Sequence, residues 1–362
     1  MSSSPDFEYR AYSKPRKSAG FAFLTIAAVA LLGVLVFPTP YVIEQPGPAY
    51  NVLGKDDGKS IISISDAKTF ETSGHLDLLT VQVVGNREQS PNWIEIFLAW
   101  MDPARSVLLI DQVFPANQTV EQSTAESSAM MEQSQQEAIA VALKKLGYET
   151  PVELYVSEVS KQSPSSGLLV AADYVRSVNG VAVTKIDELR AEVNKYDGTT
   201  PLKVAIVRAG IEKSFEITPV KDETDAYRIG ILVGYKYEFP VSVSLQLADV
   251  GGPSGGMMFA LGIYDQLTPG ELTGGNHIAG TGTIDSSGKV GPIGGIRQKL
   301  YGAQQAGAKF FLAPEQNCPE VSGNIPGGMK VFKVADFEDA LLAVEKIGKQ
   351  QDLSSLPTCS TN

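Results

Sequence analysis

The sequence has few of the side chains that bind transition metals or build disulfide-rich folds. Its 362 residues include two histidines, His75 and His277, and two cysteines, Cys318 and Cys359. These four residues show no spacing typical of metal ligands, so we expect no bound metal and no cofactor. The cysteines could form one bridge worth about 4 kcal/mol in the chain-entropy model, and the sequence leaves the bridge and two free thiols equally open.

Basic charge is also scarce. The chain has 30 Lys and Arg residues against 41 Asp and Glu residues, a formal net charge of −11. Because nucleic acid binding requires a basic surface that neutralises phosphates, this balance argues against a nucleic acid partner. The length predicts two or three domains, each large enough to bury its own core.

One long apolar segment departs from the otherwise balanced composition. Residues 19–37 contain no charged side chain. A helix of this length reaches about 28 Å, close to the hydrocarbon thickness of a bilayer. We therefore predict a transmembrane helix over residues 19–38. A cleaved signal peptide is the alternative, although its apolar region is usually shorter.

The charges that flank this segment predict its orientation. Residues 1–18 carry four Lys or Arg side chains, whereas residues 38–54 carry none. Because positive charge favours the cytoplasmic side, we expect residues 1–18 to form a cytoplasmic tail. The bulk of the chain is then extracytoplasmic, in a single-pass protein of the cell membrane.

Two helices and a strand over residues 106–113 are predicted before residue 148, and later helices are predicted over residues 186–193 and 337–347. The segment Pro91–Met101 contains both tryptophans of the chain. We expect it to pack in a core or against another subunit, with a position on a lipid surface as the alternative. A longer helix, Glu126–Leu146, is predicted to end at Gly147, a residue suited to the left-handed C-terminal position.

A dense glycine cluster surrounds one serine. Ser254 lies within Gly251–Gly256, directly before an apolar run that predicts a buried helix. At such a helix N-terminus, free N–H groups and the positive end of the helix dipole would face the serine, which suits a nucleophile beside an oxyanion site. A serine that only caps the helix is the alternative.

A nucleophilic serine needs a base, and the histidines are poorly placed in the sequence to supply it. His277 follows Ser254 too closely for the chain order of an α/β-hydrolase. A trypsin-like arrangement would need His75 and Asp111, and His75 lacks that family's flanking motif. Lysine is the remaining kind of base.

One lysine lies beside an apolar stripe. In the predicted helix Ile296–Gly307 the apolar residues recur on one face, with Lys299 on its flank and Gln298 pointing away. Burial would remove water from the amine and disfavour its charged form, which suits a base. The alternative is a lysine whose ammonium group reaches water.

Residues 148–220 are rich in predicted strands and turn residues. Gly167-Leu168, Asp173 to Val178 and Asn179-Gly180 follow one another in an order and spacing that resemble a PDZ domain. The resemblance implies a groove that binds an extended peptide at a sheet edge. Asn179-Gly180 is also typical of any tight hairpin.

Five blocks of sequence around and after Ser254 occur in a characteristic order. They are Gly252–Gly256, Leu272–Gly275, Gly288–Leu300, Ala306–Ala308 and Phe311–Glu315. Together they resemble the proteolytic domain of Lon peptidases, peptidase family S16. The resemblance implies an α/β (α+β) proteolytic domain over residues 221–348, followed by a polar tail at residues 349–362.

The Lon resemblance also implies an activity and a site. It implies a serine endopeptidase that cleaves proteins or peptides through a Ser–Lys dyad, whose two positions fall on Ser254 and Lys299. It places a supporting threonine, which helps to hold the lysine, at Thr273. It further implies a homo-oligomeric ring, with six subunits as the expected number.

Two differences from the Lon pattern leave other functions open. Gly251 replaces an acidic residue, and Gly275 replaces a glutamate. These differences motivate the alternative of a catalytically inactive PDZ-type peptide-binding or chaperone-like module. A Ser/His hydrolase is a third hypothesis.

The sequence shows no ATPase motif. Gly288-Lys289 resembles the end of a phosphate-binding loop, but Thr283 replaces its opening glycine and Val290 its hydroxyl residue. A strand-turn-strand structure explains these residues. We therefore expect ATP-independent cleavage of exposed segments or unfolded chains.

The Lon resemblance implies substantial sheet before the serine, yet few residues separate the PDZ-like region from Ser254. We therefore predict that strands within residues 39–147, the extracytoplasmic N-terminal segment, complete the protease sheet. Residues 148–220 would then be a PDZ domain inserted into the Lon-type proteolytic domain.

Overall fold

The computed structural model describes residues 21, 23–26, 37–115, 119–222, 224–247 and 250–359. The helices with bounds inside these residues are α1 Trp93–Met101, α2 Ile110–Val113, α3 Val120–Lys145, α4 Ile186–Val193, α5 Gly256–Leu267, α6 Ile296–Ala306, α7 Cys318–Val321 and α8 Phe337–Gly348. The strands are β1 Tyr41–Asn51, β2 Lys55–Asp56, β3 Lys59–Ser60, β4 Ile62–Ser65, β5 His75–Val84, β6 Ser106–Leu109, β7 Val152–Val159, β8 Tyr174–Val178, β9 Val181–Ala182, β10 Leu202–Arg208, β11 Ile211–Ile217, β12 Val220–Lys221, β13 Tyr227–Arg228, β14 Ile231–Tyr237, β15 Ser242–Leu245, β16 His277–Gly280, β17 Thr283–Ile284, β18 Val290–Gly291, β19 Phe310–Pro314 and β20 Lys330–Val334.

The chain divides into two compact units. The smaller unit comprises Met1–Gln45 and Gln82–Gln118, and the larger comprises Pro46–Val81 and Thr119–Asn362. Strands β1 and β5 each contribute residues to both units.

In the smaller unit, β1 pairs antiparallel with β6. Ile43 of β1 forms a small core with Ile96 and Ala99 of α1. Most other side chains of α1 are exposed, including Phe97 at 58% and Trp100 at 66%. Packing of this helix in a core, one of the sequence-based interpretations, therefore holds for only two of its residues in the described part of the unit.

The central sheet of the larger unit contains parallel strands β5, β16, β19 and β20, side by side in that order. In the register between β5 and β16, His75 lies opposite His277 and Leu78 lies opposite Gly280. Because successive side chains of a strand point to opposite faces, Leu76 and Leu78 share one face while Leu79 lies on the other.

Helices cover both faces of this sheet, as parallel strands require. On one face, Leu78 belongs to a core with Ile139 of α3, Phe259 of α5 and Leu341 of α8. On the other face, a second core is built around α6 and includes its residue Leu300. Helices α5 and α6 therefore lie on opposite faces of the same sheet.

Strands from the first part of the chain pair with strands that follow Tyr237. Strand β4 pairs antiparallel with β15, and β5 pairs parallel with β16. The residues of the second sheet lie between these partners in the sequence.

The second sheet has the strand order β11, β10, β8, β7, β14, with β9 paired to β8. Asn179 and Gly180 have φ angles of 51° and 83°, so they form the predicted tight hairpin between β8 and β9. Strand β14 pairs with β7 from Ile231 to Tyr237. The sheet therefore continues beyond residue 220, the predicted end of the PDZ-like region, because β7 takes its second neighbour from the later strand β14.

The predicted cytoplasmic tail at residues 1–18 and most of the predicted transmembrane helix at residues 19–38 lie outside the described residues. Residues 21 and 23–26 are helical. In the part of the chain that the structure describes, no helix is both long enough and apolar enough to cross a membrane.

Cys318 and Cys359 form a disulfide, which answers the question that the sequence leaves open. The bridge joins α7 to the C-terminal segment, where Thr358 also pairs with Phe332 of β20. Leu356 is buried as well. The part of the predicted polar tail that the structure describes is therefore tied to the larger unit.

Candidate active site

Ser254 lies in a glycine-rich loop directly before the apolar helix α5. The helix begins after Gly255, which has no side-chain capping bond, so Ser254 does not cap it. Gly252 has a φ of +84°, a conformation that favours glycine. A Cβ on Gly255 would lie 2.2 Å from the Leu78 side chain, so only glycine fits without a shift of that side chain. The glycines thus allow the loop to pack closely against Leu78 of the central sheet.

Lys299 comes from the opposite face of the sheet. It lies in the first turns of α6, where Ile296, Leu300 and Ala303 form the predicted apolar stripe and are fully buried. Lys299 itself is only 2% exposed, so the interpretation of an ammonium group that reaches water is wrong. Gln298 is also 2% exposed, although the helical spacing predicts that it points away.

The lysine amine meets the serine hydroxyl. Lys299 Nζ lies 2.7 Å from Ser254 Oγ and 3.0 Å from Thr281 Oγ1. Thr281 Oγ1 in turn donates a hydrogen bond to the carbonyl oxygen of Ser254 at 3.0 Å. The backbone N–H of Gly282 donates to the same carbonyl at 2.8 Å. The end of β16 therefore holds both the lysine amine and the serine backbone.

The resemblance to Lon peptidases places the threonine that helps to hold the lysine at Thr273, but the hydroxyl of Thr273 makes a different contact. Its Oγ1 donates to the carbonyl of Ser73 at 2.6 Å, in a tight turn beside Gly74. The threonine that contacts Lys299 is instead Thr281, because it directly follows β16, whose end reaches the serine loop. The sequence signal was Gly280-Thr281-Gly282, a threonine between glycines at the end of an apolar strand.

Two backbone N–H groups beside the serine are candidates for an oxyanion site. Within the described residues, no hydrogen bond pairs the N–H of Ser254 or Gly255 with an acceptor. Gly255 precedes the first residue of α5, so the positive end of the helix dipole lies at the same place. Such an arrangement suits a negative charge that develops on an oxygen near Ser254 Oγ.

A cleft of about 300 Å³ adjoins the serine loop. Its lining includes Met130, Glu137, Pro253 and Ile284. Burial raises the pKa of Glu137 to about 7, a hydrogen bond with Gln133 opposes this rise, and the nearby charge of Asp285 adds to it. The cleft therefore combines apolar surface with a carboxyl group that holds its proton into the neutral range.

The histidines and Asp111 make other contacts. His277 Nε2 lies 2.5 Å from Asp77 Oδ2, and the His75 ring stacks on His277 with centroids 4.5 Å apart. Asp111 pairs with Arg87 on an exposed surface. The basic side chain within hydrogen-bond distance of Ser254 Oγ is that of Lys299.

Comparison with known proteins finds a family similar to part of the chain. Residues 166–344 match the family model for the Lon protease (S16) C-terminal proteolytic domain. This part of the chain is therefore similar to a Lon-type proteolytic domain. The matched residues include Ser254, Thr281 and Lys299.

Several Lon proteases are similar to this chain over part of their length. The Lon protease of Lachnoclostridium phytofermentans is 27% identical over 249 residues, which are 64% of this chain and 30% of that protein. The Lon protease of Buchnera aphidicola from Acyrthosiphon pisum is 32% identical, over 36% of this chain and 17% of the relative. That of Trichlorobacter lovleyi is 35% identical, over 30% of this chain and 14% of the relative. This chain thus spans less than a third of the length of each.

Solved structures similar to part of the chain include PDZ domains. The PDZ domain of the SdrC-like protein from Listeria monocytogenes is 20% identical, with a TM-score of 0.21, and the match covers 22% of this chain and 85% of that one. The corresponding domain from Listeria innocua is 21% identical with the same TM-score, and the match covers 22% of this chain and 92% of that one.

Proposed function

We propose that this chain is a serine endopeptidase whose nucleophile is Ser254 and whose general base is Lys299. The observation that carries the proposal is the 2.7 Å contact between Lys299 Nζ and Ser254 Oγ, made by a lysine that is 2% exposed. Burial disfavours the charged form of a lysine side chain, so a neutral amine can accept the hydroxyl proton.

The proposed reaction is acyl transfer in two steps. Lys299 Nζ takes the Ser254 Oγ proton while Oγ attacks the peptide carbonyl carbon, and the N–H groups of Ser254 and Gly255 stabilise the oxyanion. The C–N bond then breaks, and Lys299 gives its proton to the leaving amine. Water attacks the acyl carbon while Lys299 takes one of its protons. The bond between Oγ and the acyl carbon then breaks, Lys299 returns the proton to Ser254 Oγ, and the carboxylic acid product leaves.

Thr281 acts in this proposal as a positioning residue. Its hydroxyl accepts from Lys299 Nζ and donates to the Ser254 carbonyl, so it orients the amine toward Oγ and fixes the loop that carries the nucleophile. A neutral amine that is held in one orientation presents its lone pair to the serine proton, which raises the effectiveness of the base.

The substrates are proposed to be proteins or peptides, cleaved without ATP. Gly288-Lys289 lies in the turn between β17 and β18, which pair as an antiparallel hairpin. A phosphate-binding loop instead joins a strand to a helix, so these residues do not support nucleotide binding. Because nothing in this scheme unfolds a substrate, exposed segments and unfolded chains are the expected targets.

We also propose that the protein is anchored in the cell membrane with its bulk outside the cytoplasm. The uncharged segment at residues 19–37 and the positive charges before it support this placement. The exposed aromatic and aliphatic side chains of α1, Phe97 and Trp100 among them, provide a second support, because such a surface suits contact with lipid headgroups and acyl chains.

The inserted sheet, residues 152–237, is proposed to be a PDZ-type peptide-binding domain, and the whole protein a homo-oligomeric ring. The groove between α4 and β14 has room for an extended peptide, with Leu189 and Val193 on one side and Ile231 and Val233 on the other. Sedimentation of the detergent-solubilised full chain tests the ring, because a six-subunit particle and a monomer differ several-fold in mass.

The test of activity uses the full chain in detergent with an unfolded protein as substrate and no ATP. We expect wild-type protein to release peptides and to bind a fluorophosphonate probe covalently, and Ser254→Ala to do neither. Ser166→Ala, a change of an exposed serine, is the control. Full cleavage by Ser254→Ala would refute the nucleophile. Binding of the unfolded protein without cleavage by wild type would favour the inactive peptide-binding module.

A further inference from the structure

The two histidines of this chain, 202 positions apart in sequence, lie side by side in the central sheet. The parallel register places His75 of β5 opposite His277 of β16. Because side chains two residues apart on a strand share a face, Asp77 lies on the same face as His75. We infer that these three side chains form a binding site for a divalent transition metal such as Zn²⁺.

The ligand atoms are close enough for one ion. One atom from each of His75, Asp77 and His277 can be chosen so that all three lie within 4.8 Å of one another. Tetrahedral zinc with bonds of about 2.0–2.1 Å needs ligand atoms about 3.3 Å apart. The His75 side chain is 54% exposed, so its ring can rotate to close the remaining gap.

The carboxylate of Asp77 is the observation that points to a missing ligand. Its side chain is only 5% exposed, and among the described residues its Oδ1 has no hydrogen-bond partner. His75 Nδ1 lies 3.6 Å from this oxygen, too far for a hydrogen bond. A buried carboxylate oxygen without a partner carries a desolvation cost that a bound cation would remove.

The surroundings favour a cation of this class. Helix α6 ends beside the cluster: a Cβ on Gly307, which follows the last residue of α6, would lie 3.9 Å from His277 Nδ1. The C-terminal end of a helix carries partial negative charge, which attracts cations. Imidazole nitrogens select transition metals over Mg²⁺ or Ca²⁺, and three protein ligands at a partly exposed position leave a fourth place for water.

This site is separate from the proposed dyad, but both lie along the same strand, β16, and the same helix, α6. His277 is the first residue of β16, whereas Thr281 follows the last residue of that strand. The cluster also lies at the end of α6, while Lys299 lies near its beginning. Bound metal would therefore join β5 to β16 where these strands begin, whereas the proposed catalytic residues lie where β16 ends.

Titration of the tag-free, EDTA-dialysed full chain with Zn²⁺ tests the site, using isothermal calorimetry. We expect one ion per chain and an affinity that falls at least tenfold in His75→Ala and in His277→Ala. Asp265→Asn is a matched control, because Asp265 is also a buried aspartate with one unpaired oxygen in the described structure but lies on α5. Its affinity for Zn²⁺ should match that of the wild type.

A second measurement keeps the result independent of folding. His75 is exposed, so His75→Ala should have the melting temperature of the wild type in EDTA. Zn²⁺ should raise that temperature in the wild type but not in His75→Ala. ¹⁵N spectra of the histidine rings should show both imidazoles, the full complement of the chain, perturbed by one equivalent of Zn²⁺. Absence of saturable binding, or unchanged affinity in both alanine variants, would overturn the site.

Discussion

Lys299 has its amine within hydrogen-bond distance of two hydroxyl oxygens, and the residue is only 2% exposed. A buried amine is costly unless each hydrogen finds a partner, and the neutral form lowers that cost. Stability alone would therefore favour an apolar residue at this position. The proposed catalytic role explains why a lysine is present.

Replacement of Lys299 by a residue of similar shape separates its effect on catalysis from its effect on stability. We expect Lys299→Met to reduce the rate of peptide cleavage by at least about 10³-fold, because the base is lost. The free energy of unfolding should stay the same or rise, because no amine is left to desolvate. Cleavage kinetics and urea unfolding measure the two quantities. Lys330→Met, an exposed lysine, is the control, and substantial activity of Lys299→Met would contradict the dyad.

The two buried threonines should respond differently to the loss of their hydroxyls. Thr281→Val removes the contacts to Lys299 and to the Ser254 carbonyl, so we expect kcat to fall and its pH profile to shift. Thr273→Val removes only the hydrogen bond to Ser73, so the free energy of unfolding should fall by about 1–2 kcal/mol with kcat little changed. A fall in kcat for Thr273→Val, with kcat of Thr281→Val little changed, would instead support the role that the Lon resemblance implies for Thr273.

The raised pKa of Asp265 predicts how the free energy of unfolding depends on pH. Burial raises its pKa from 3.8 to about 6, a hydrogen bond from the Leu272 N–H opposes this, and the charge of Glu271 adds to it. The folded chain thus keeps a proton that the unfolded chain releases between about pH 4 and 6, so this group's contribution to stability is lost as pH rises through that window. Urea unfolding from pH 4 to 7 should show a smaller decline in Asp265→Asn. An identical decline in wild type and variant would contradict the assignment.

At the scale of elements, the periodicity of apolar residues was sufficient to predict several helices of the larger unit. The sequence predicts helices 186–193 and 337–347, and the structure has Ile186–Val193 and Phe337–Gly348. These segments combine an apolar stripe with clear ends, so local propensity and packing agree. Helix α3 begins at Val120, earlier than the predicted Glu126, because its polar first turns follow a Thr119 cap and not an apolar stripe.

One segment of the smaller unit was predicted with the wrong structure. Residues 106–113 are predicted as one strand, but β6 ends at Leu109 and α2 begins at Ile110. The backbone N–H of Ile110 bonds to Pro40, which ends the pairing with β1. The turn depends on a residue distant in sequence, so local periodicity could not predict it.

The disulfide gives a prediction for the C-terminal segment. The bridge closes a loop between residues separated by 41 positions. In the chain-entropy model, its loss should lower the free energy of unfolding by about 4 kcal/mol. Urea unfolding of the Cys318→Ser/Cys359→Ser variant measures this. A midpoint that the double variant and dithiothreitol both leave unchanged would show that the bridge does not stabilise the fold.

At the scale of the whole molecule, the exposed face of α1 provides a direct probe of the proposed membrane position. Both tryptophans of the chain, Trp93 and Trp100, lie on this helix. In vesicles that contain the full chain, brominated lipids should quench its tryptophan fluorescence if α1 rests on the bilayer. Fluorescence that brominated lipids do not change would favour subunit packing of α1. Trp100→Phe should leave part of the signal, which identifies the residue that reaches the lipid.

The sequence by itself determined which residues are candidates for the site. A serine among glycines, two poorly placed histidines and a lysine beside an apolar stripe made Ser254 and Lys299 candidates, and the resemblance to Lon peptidases then assigned them as a dyad. These signals are local, because backbone freedom and helix periodicity are encoded in neighbouring residues. The blocks that resemble Lon peptidases are local in the same sense.

Only the tertiary structure decided which distant residues meet. The parallel register of β5 and β16 brings His75 beside His277, although sequence spacing argued against any metal ligands. The end of β16 brings Thr281, not Thr273, to Lys299. Pairing between strands far apart in the chain sets both contacts, and no local pattern of residues encodes a register between such strands.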